Sequence, residues 1–184
     1  MIIALAGRRV DAANADTPRF PLANADEVKE RIRQTFKTLD ATAIVSAAAC
    51  GADLLAQEVA MEMGLRRRVV LALSVREFRD ASVTDRPGDW GPRYDKVITS
   101  LTRPKDKLIT MKLSAADDTA WEQNNSAILD EAEAIARGRK MDPKREVVVV
   151  VVWDGHSRGE SDLTEQFMRE GEQRGLRVET VLTL

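Results

Sequence analysis

Six consecutive valines at positions 147–152 constrain the fold more than any other feature of this 184-residue chain. An unbroken β-branched run has no polar face, which is typical of a strand covered on both sides within a parallel sheet. Trp153-Asp154-Gly155 follows the run directly, and Gly159 and Ser161 come a few residues later. Parallel sheets bind ligands at the carboxyl ends of their strands, so this junction predicts part of a binding site.

Strand-like and helix-like segments alternate along the chain, which predicts an α/β fold: a Rossmann-like three-layer sandwich with a mostly parallel central sheet flanked by helices. The pattern predicts strands over 2–6, 43–46, 69–73, 107–111, 147–152 and 178–182. It predicts helices from Asn24, with Glu27 completing a capping box, and over 52–63, 92–101, 119–136 and 162–174. The stretch 74–104 is otherwise irregular, and a charged loop is expected over 137–145. No linker is evident, so we expect a single domain over 1–184.

Two further junctions repeat the design of the first. Residues 2–6 run into Gly7, Arg8 and Arg9, and residues 43–46 run into a small-residue turn before a helix that contains Asp53. Because the carboxyl ends of parallel strands meet at one edge, the three junctions predict one composite site for a phosphate-bearing or otherwise anionic ligand. The candidate site residues are Gly7, Arg8, Arg9, Ser46, Cys50, Gly51, Asp53, Trp153, Asp154, Gly155, Gly159 and Ser161.

Each candidate also has a plain structural interpretation. Arg8 or Arg9 would grip phosphate bidentately, or else form a salt bridge to Asp11 or Asp154. Gly51 would let the following amides cradle a phosphate, or would simply allow a turn.

The two aspartates and the tryptophan among the candidates each have two possible interpretations as well. Asp53 would meet a sugar hydroxyl or cap its helix, and Asp154 would read a ribose or base edge or cap a turn. Trp153 would stack on a base or belong to the core. Ser46 would donate its hydroxyl to the ligand, and the loop with Gly159 and Ser161 would bind an anion only weakly, because acidic neighbours oppose phosphate.

Cys50 and His156 are the only residues of their types. A buried, inert cysteine is expected, with a nucleophilic pair of Cys50 and His156 as the alternative. One cysteine and one histidine predict neither a metal site nor an internal disulfide, and we expect no cofactor.

Net charge excludes several classes of partner at this level. A formal charge of −2 provides no general basic field, so neither nucleic acid nor a membrane surface is expected as a partner. The apolar start breaks at Gly7, too early for a signal peptide, and no run approaches membrane-spanning length. We therefore expect a cytoplasmic protein, while helical periodicity leaves a homodimer open.

Five segments carry a resemblance to a known group of proteins. They are Gly-Arg-Arg-Val-Asp at 7–11, Pro-Arg-Phe-Pro at 18–21, Ala-Cys-Gly-Ala-Asp-Leu-Leu at 49–55, Phe78 with Ala-Ser-Val at 81–83, and Val-Trp-Asp-Gly at 152–155. In their order and spacing, these segments resemble a Rossmann-like group within the SLOG superfamily. That superfamily includes the LOG-type phosphoribohydrolases, which release cytokinin bases from nucleotides. The group is often fused to signalling or repeat modules and is thought to bind nucleotides or nucleotide-derived signals.

Departures from the group's pattern bear on function. Position 8 is arginine where the group has histidine, and the glycine pair and threonine after Trp-Asp-Gly are replaced by Gly159, Glu160 and Ser161. The LOG-type signature Pro-Gly-Gly-x-Gly-Thr-x-x-Glu does not occur in the sequence. The resemblance therefore implies a stand-alone domain that binds or senses a nucleotide or nucleotide-derived ligand. The alternatives are a nucleoside-phosphate N-glycosidase using Asp53, Glu58 or Asp154, and a protein-interaction module with a decayed site.

Overall fold

The computed structural model describes residues 1–114, 116–117, 119–138 and 146–184, so most of the predicted loop over 137–145 lies outside the described residues. Its strands are β1 Ile2–Gly7, β2 Ala43–Ser46, β3 Arg66–Leu71, β4 Lys107–Thr110, β5 Val147–Trp153 and β6 Arg177–Leu182. Its helices are α1 Ala25–Thr38, α2 Ala52–Glu62, α3 Val75–Ser82, α4 Trp90–Thr99, α5 Ala120–Arg137 and α6 Leu163–Gln173, and a 3-10 turn covers Leu22–Asn24. None of the described helices combines the length and the apolar character needed to cross a bilayer.

The six strands form one sheet in the order β4-β3-β2-β1-β5-β6, and every pair of neighbours is parallel. Helix α2 packs on β1, β2 and β3 together with α1 and α4, while α5 packs on the same strands together with α6. Helices therefore cover both faces of the sheet. The predicted Rossmann-like three-layer α/β fold is confirmed.

The valine run occupies the interior of the sheet, as its lack of a polar face predicts. Strand β5 is buried along its whole length between β1 and β6. The chain steps outward from β1 to β4 and then returns through α5 to β5, on the other side of β1. Gly7 of β1 pairs with Val152 of β5, so these two strands end together at the point where the strand order reverses. Ligands of open α/β sheets bind in the crevice at such a reversal.

Two local predictions differ from the structure. Helix α1 begins at Ala25, and the expected capping box with Glu27 is wrong, because the Asn24 side chain makes no cap bond and donates instead to Thr183 O at 2.9 Å. A capping box forms where the sequence pattern is irregular: Ser74 and Glu77 cap α3 reciprocally. Short helices with few apolar positions are poorly marked by periodicity, which explains why α3 is absent from the prediction.

A close backbone approach joins the end of β1 to the start of α2. Ala52 N–H donates to Arg8 O at 3.1 Å, and Gly51 adopts φ +96°, a conformation that side chains rarely tolerate. A Cβ at position 51 would lie 2.8 Å from both Arg8 O and Val10 N. Glycine is therefore required at this turn by conformation and by space.

We expect Gly51→Ala to lower the free energy of unfolding by more than about 2 kcal/mol, because strain of the dihedral angle adds to a clash with backbone atoms. Gly159→Ala is the matched control, since Gly159 has φ +95° but a Cβ at that position would meet no atom within 4 Å. Urea unfolding of both variants measures the difference. Equal losses would show that the approach of the two backbones contributes nothing.

Candidate ligand-binding cavity

A cavity of about 450 Å³ lies at the carboxyl edge of the sheet, beside the reversal between β1 and β5. This volume is within the usual range for sites that bind small molecules. Four parts of the chain form its walls: the segment after β1, the β2–α2 turn, the end of α3 with the loop behind it, and one stripe of α5. The loop before α6 and its first residues complete the lining.

Four of the predicted site residues line the cavity: Gly7, Arg8, Arg9 and Asp53. The other eight lie behind its walls or in neighbouring loops: Ser46, Cys50, Gly51, Trp153, Asp154, Gly155, Gly159 and Ser161. The three junctions thus meet at one edge, as the parallel sheet predicts. Most residues that line the cavity are therefore not among the predicted site residues.

Arg8 takes the salt-bridge alternative rather than presenting a free fork to a ligand. Its side chain is 2% exposed, and its Nε donates to Asp154 Oδ1 at 3.0 Å. Nη1 donates to Asp162 Oδ1 at 2.6 Å, and Nη2 donates to His156 O at 2.7 Å. All three nitrogens of the guanidinium are therefore engaged by the loop that follows β5.

Asp162 closes the N-terminus of α6. Its carboxylate accepts hydrogen bonds from Thr164 N–H at 3.0 Å and from Arg158 N–H at 2.8 Å. Burial alone would raise the pKa of Asp162, but the hydrogen bonds from Arg8 and Arg158 lower it to about 2. An acidic side chain of the protein itself therefore occupies the place where Gly159 and Ser161 were expected to help bind an anion.

Asp154 and Trp153 both contact the Arg8 guanidinium. Arg19 Nη1 donates to Asp154 Oδ2 at 2.8 Å, so Asp154 bridges two arginines. The Arg8 guanidinium lies 5.6 Å from the centre of the Trp153 ring, which is 8% exposed. Trp153 is thus a core residue beneath the cation, in line with the second of its two interpretations.

The turn around Gly51 directs its amides into the protein. Cys50 N–H donates to Ser82 O at 3.0 Å, and Ala52 N–H donates to Arg8 O. The predicted phosphate cradle at this turn is therefore wrong for these two amides, because backbone carbonyls already satisfy them.

The side chains at the same junction are internal too. Cys50 is fully buried, and burial raises the pKa of its thiol to about 12, which favours the inert cysteine over the nucleophilic pair with His156. Ser46 Oγ donates to Ala47 O and accepts from Gln57 Nε2, both within the core.

Asp53 is the buried carboxylate of the cavity. It is 7% exposed, its Oδ2 accepts from Ala49 N–H at 3.3 Å, and its Oδ1 has no hydrogen-bond partner among the described residues. Burial raises the pKa of Asp53 to about 7, although the Ala49 amide and the charge of Arg9 oppose the shift. A carboxyl that loses its solvation without gaining a strong partner is typical of a functional site.

Helix α5 contributes lining residues that are not among the predicted site residues. Trp121, Asn124, Asn125 and Ile128 recur at helical spacing and line the cavity together. Asn124 is 3% exposed, and its Oδ1 has no hydrogen-bond partner among the described residues. The signal in the sequence is the pair of asparagines inside a stripe that otherwise predicts an apolar face.

Aromatic and basic side chains complete the lining. The rings of Phe78 and Trp121 meet edge to face with centroids 5.8 Å apart. Arg19, Arg86 and Arg158 also line the cavity, although sequence reasoning did not select them. Arg19 and Arg158 lie in the loops after β1 and β5, and Arg86 lies in the loop after α3, where no periodic pattern singles out a residue.

The fold and this cavity at the strand-order reversal define a Rossmann-like α/β protein. No protein-family model matches the chain, and no curated protein matches it. A similar solved structure is DNA processing protein A from Streptococcus pneumoniae, at 14% sequence identity and a TM-score of 0.45. The match covers 97% of this chain and 57% of that one. At this level of similarity nothing further follows from the likeness, and membership of the SLOG superfamily and of the subgroup both stay predictions.

One expectation about partners requires correction. The exclusion of nucleic acid as a partner is withdrawn. The exclusion was drawn from the net charge of −2 alone. Net charge is a poor guide here, because five arginines gather at one cavity: Arg8, Arg9, Arg19, Arg86 and Arg158.

We expect Arg8→Met to lower the free energy of unfolding by about 3–5 kcal/mol, because it removes the buried cation that two buried carboxylates share. Arg169→Met is the control, since Arg169 is exposed and pairs only with Glu165, one turn earlier on α6. Chemical unfolding at neutral pH measures both losses. A loss below about 1 kcal/mol for Arg8→Met would contradict a structural role for this ion cluster.

Asp53 predicts a pH-dependent stability. Its folded pKa of about 7 lies above the ordinary value of 3.8, so its contribution is fully present below pH 4 and is lost as the pH rises through 7. Relative to Asp53→Asn, the wild type should lose about 3 kcal/mol of unfolding free energy between about pH 5 and about pH 8. Asparagine retains the acceptor for Ala49 N–H. A constant difference across this range would show that Asp53 titrates normally.

Proposed function

We propose that the cavity binds a nucleotide or a nucleotide-derived small molecule. The observation that carries the proposal is Asn124, an amide that is almost fully buried, has an unpartnered oxygen, and lines a cavity rich in arginine. A buried polar atom without a partner costs about 1–3 kcal/mol. A ligand that supplies a hydrogen-bond donor at this wall would recover that cost on binding.

The neighbours of Asn124 suit a nucleobase. Phe78, Trp121 and Ile128 provide an apolar and aromatic surface around the amide. Flat heterocycles bury apolar faces and present donors and acceptors at their edges, and asparagine pairs well with such edges. The wall formed by α5 and α3 therefore fits a base.

The remaining lining suits the other parts of a nucleotide. Asp53 lies at the β2–α2 turn with an unpartnered oxygen, which fits a sugar hydroxyl. Arg9 and Arg86 line the cavity with side chains 31% and 25% exposed, and they fit a phosphate. A base, a hydroxyl-bearing sugar and an anion are the three parts of one ligand class.

Binding is a better fit than catalysis. Of the three carboxylates considered for a glycosidase, Asp154 is bridged by two arginines, and Glu58 is ion-paired with Lys29 and Arg93 away from the cavity. Only Asp53 lines the cavity. We therefore propose a single sensing or binding domain of the SLOG type, for which base release is the measurable alternative.

The test is thermal unfolding of the purified protein with nucleoside mono-, di- and triphosphates, cyclic nucleotides, dinucleotides, ADP-ribose and a short single-stranded oligonucleotide. We expect at least one nucleotide to raise the melting temperature by several degrees, since ligands that bind only the folded state stabilise it. Asn124→Leu should abolish that shift. The same substitution should leave the unliganded protein as stable as before, because it removes an unpartnered amide of similar size.

Gln123→Leu is the matched control, because Gln123 lies on the exposed face of the same helix and should keep the full shift. A flat panel with correctly folded protein would refute nucleotide binding. A shift with the oligonucleotide alone would reassign the cavity to nucleic acid. Free base released from a monophosphate would favour the enzyme.

A further inference from the structure

The charges at the cavity indicate where the phosphate of a bound nucleotide would lie, on the assumption that the proposed nucleotide binding is correct. The arginines fall into two groups that are held by different carboxylates. The β5-side group surrounds the loop after β5 and consists of Arg8, Arg19 and Arg158 with Asp11, Asp154 and Asp162. The α3-side group lies at the end of α3 and consists of Arg9, Arg86 and Asp85.

The β5-side group is balanced in charge and largely closed. The Arg8 guanidinium donates hydrogen bonds to Asp154, Asp162 and a backbone carbonyl, as described above. The group contains three carboxylates and three arginines, so its net charge is zero. Asp11, the third carboxylate, lines the cavity and accepts from Arg19 N–H at 3.0 Å. An incoming phosphate would meet these carboxylates at close range, so this side offers no net attraction.

The α3-side group carries one positive charge in excess. Arg9 Nη1 donates to both oxygens of Asp85 at 2.9 and 2.8 Å, and Arg86 Nε lies 3.3 Å from the same carboxylate. Within the described residues, no hydrogen bond is made by Arg9 Nε or Nη2. Arg9 therefore keeps donors for a second acceptor while its position is held by Asp85.

Asp53 is the other acidic residue near the α3-side group, and its protonation state determines the net charge there. It shares the neighbourhood of Cys50 with Arg9, Arg86 and Asp85. Because burial favours the protonated form of Asp53 up to about neutral pH, two arginines face a single ionised carboxylate. A bound phosphate would favour that protonated form further, since two negative charges close together are costly.

We propose that the phosphoryl group of the bound nucleotide is held by Arg9 and Arg86, with Asp85 as the carboxylate that orients the Arg9 guanidinium. The ligand class is then a nucleotide with a terminal phosphate at the α3 side, with its base on the α5 wall. Arg8, the first arginine after β1, supports the cavity from behind and has no contact with the phosphate. Asp85 is a positioning residue that competes with the phosphate for the two arginines.

The experiment compares adenosine and guanosine with their 5′-monophosphates by isothermal titration calorimetry. The quantity of interest is the affinity ratio of each monophosphate to its nucleoside. We expect Arg9→Gln and Arg86→Gln each to lower this ratio about tenfold, the usual value of a charge-assisted hydrogen bond. Asp85→Asn should raise it several-fold, because asparagine keeps one acceptor that orients Arg9 while the charge that competes with phosphate is removed, and it should leave nucleoside binding unchanged.

Arg79→Gln is the matched control, since it removes the same charge from α3 outside the cavity, where Arg79 pairs with Asp95, and it should leave the ratio unchanged. Arg158→Gln tests the β5 side of the cavity itself. Thermal unfolding of every variant verifies that it is folded. If nucleosides and monophosphates bind with equal affinity, or if only Arg158→Gln lowers the ratio, the phosphate position is wrong while nucleotide binding stands. If neither nucleosides nor monophosphates bind, the proposed function fails, and the phosphate position fails with it.

Discussion

The fork of Arg8 is the interaction on which the binding edge of this protein depends. Its guanidinium joins the end of β1 to the carboxylates of Asp154 and Asp162, which follow Arg8 by 146 and 154 positions in the sequence. Dehydrating these charges is costly, and their attraction repays the cost only because each of the three guanidinium nitrogens donates to an acceptor. The loop after β5 is thereby held against β1, which fixes one wall of the cavity.

The same arrangement explains why side chains, not backbone amides, offer the charge for an anion. Rossmann-like proteins commonly bind phosphate at helix N-termini near the sheet edge. Here Asp162 caps α6 with its own carboxylate, and Ala52 N–H at the start of α2 is bonded to Arg8 O. In the proposed complex the arginines of the loops bind the anion, and the net charge that they present depends on which carboxylates lie beside them.

Much of the fold followed from the sequence, because hydrophobic periodicity is a local property. The valine run predicted the buried strand, and the alternation of elements predicted the parallel sheet and the meeting of its carboxyl ends. The site followed less well. Arg8 looks like a ligand residue in the sequence, and only its approach to the distant Asp154 and Asp162 shows that it is engaged. Such pairings over long sequence separations leave no periodic signal.

Asn124 shows the opposite case, a functional candidate hidden in a structural pattern. Its helix has the apolar stripe of a core element, and an asparagine in that stripe would usually be expected to find a partner. In the structure its oxygen lies buried without one, and Asp53 across the cavity is in the same condition. A single unpartnered group is a small cost that a stable domain tolerates. Two at one cavity are better explained as acceptors kept for a ligand, since apolar residues of similar size would fill both positions at lower cost.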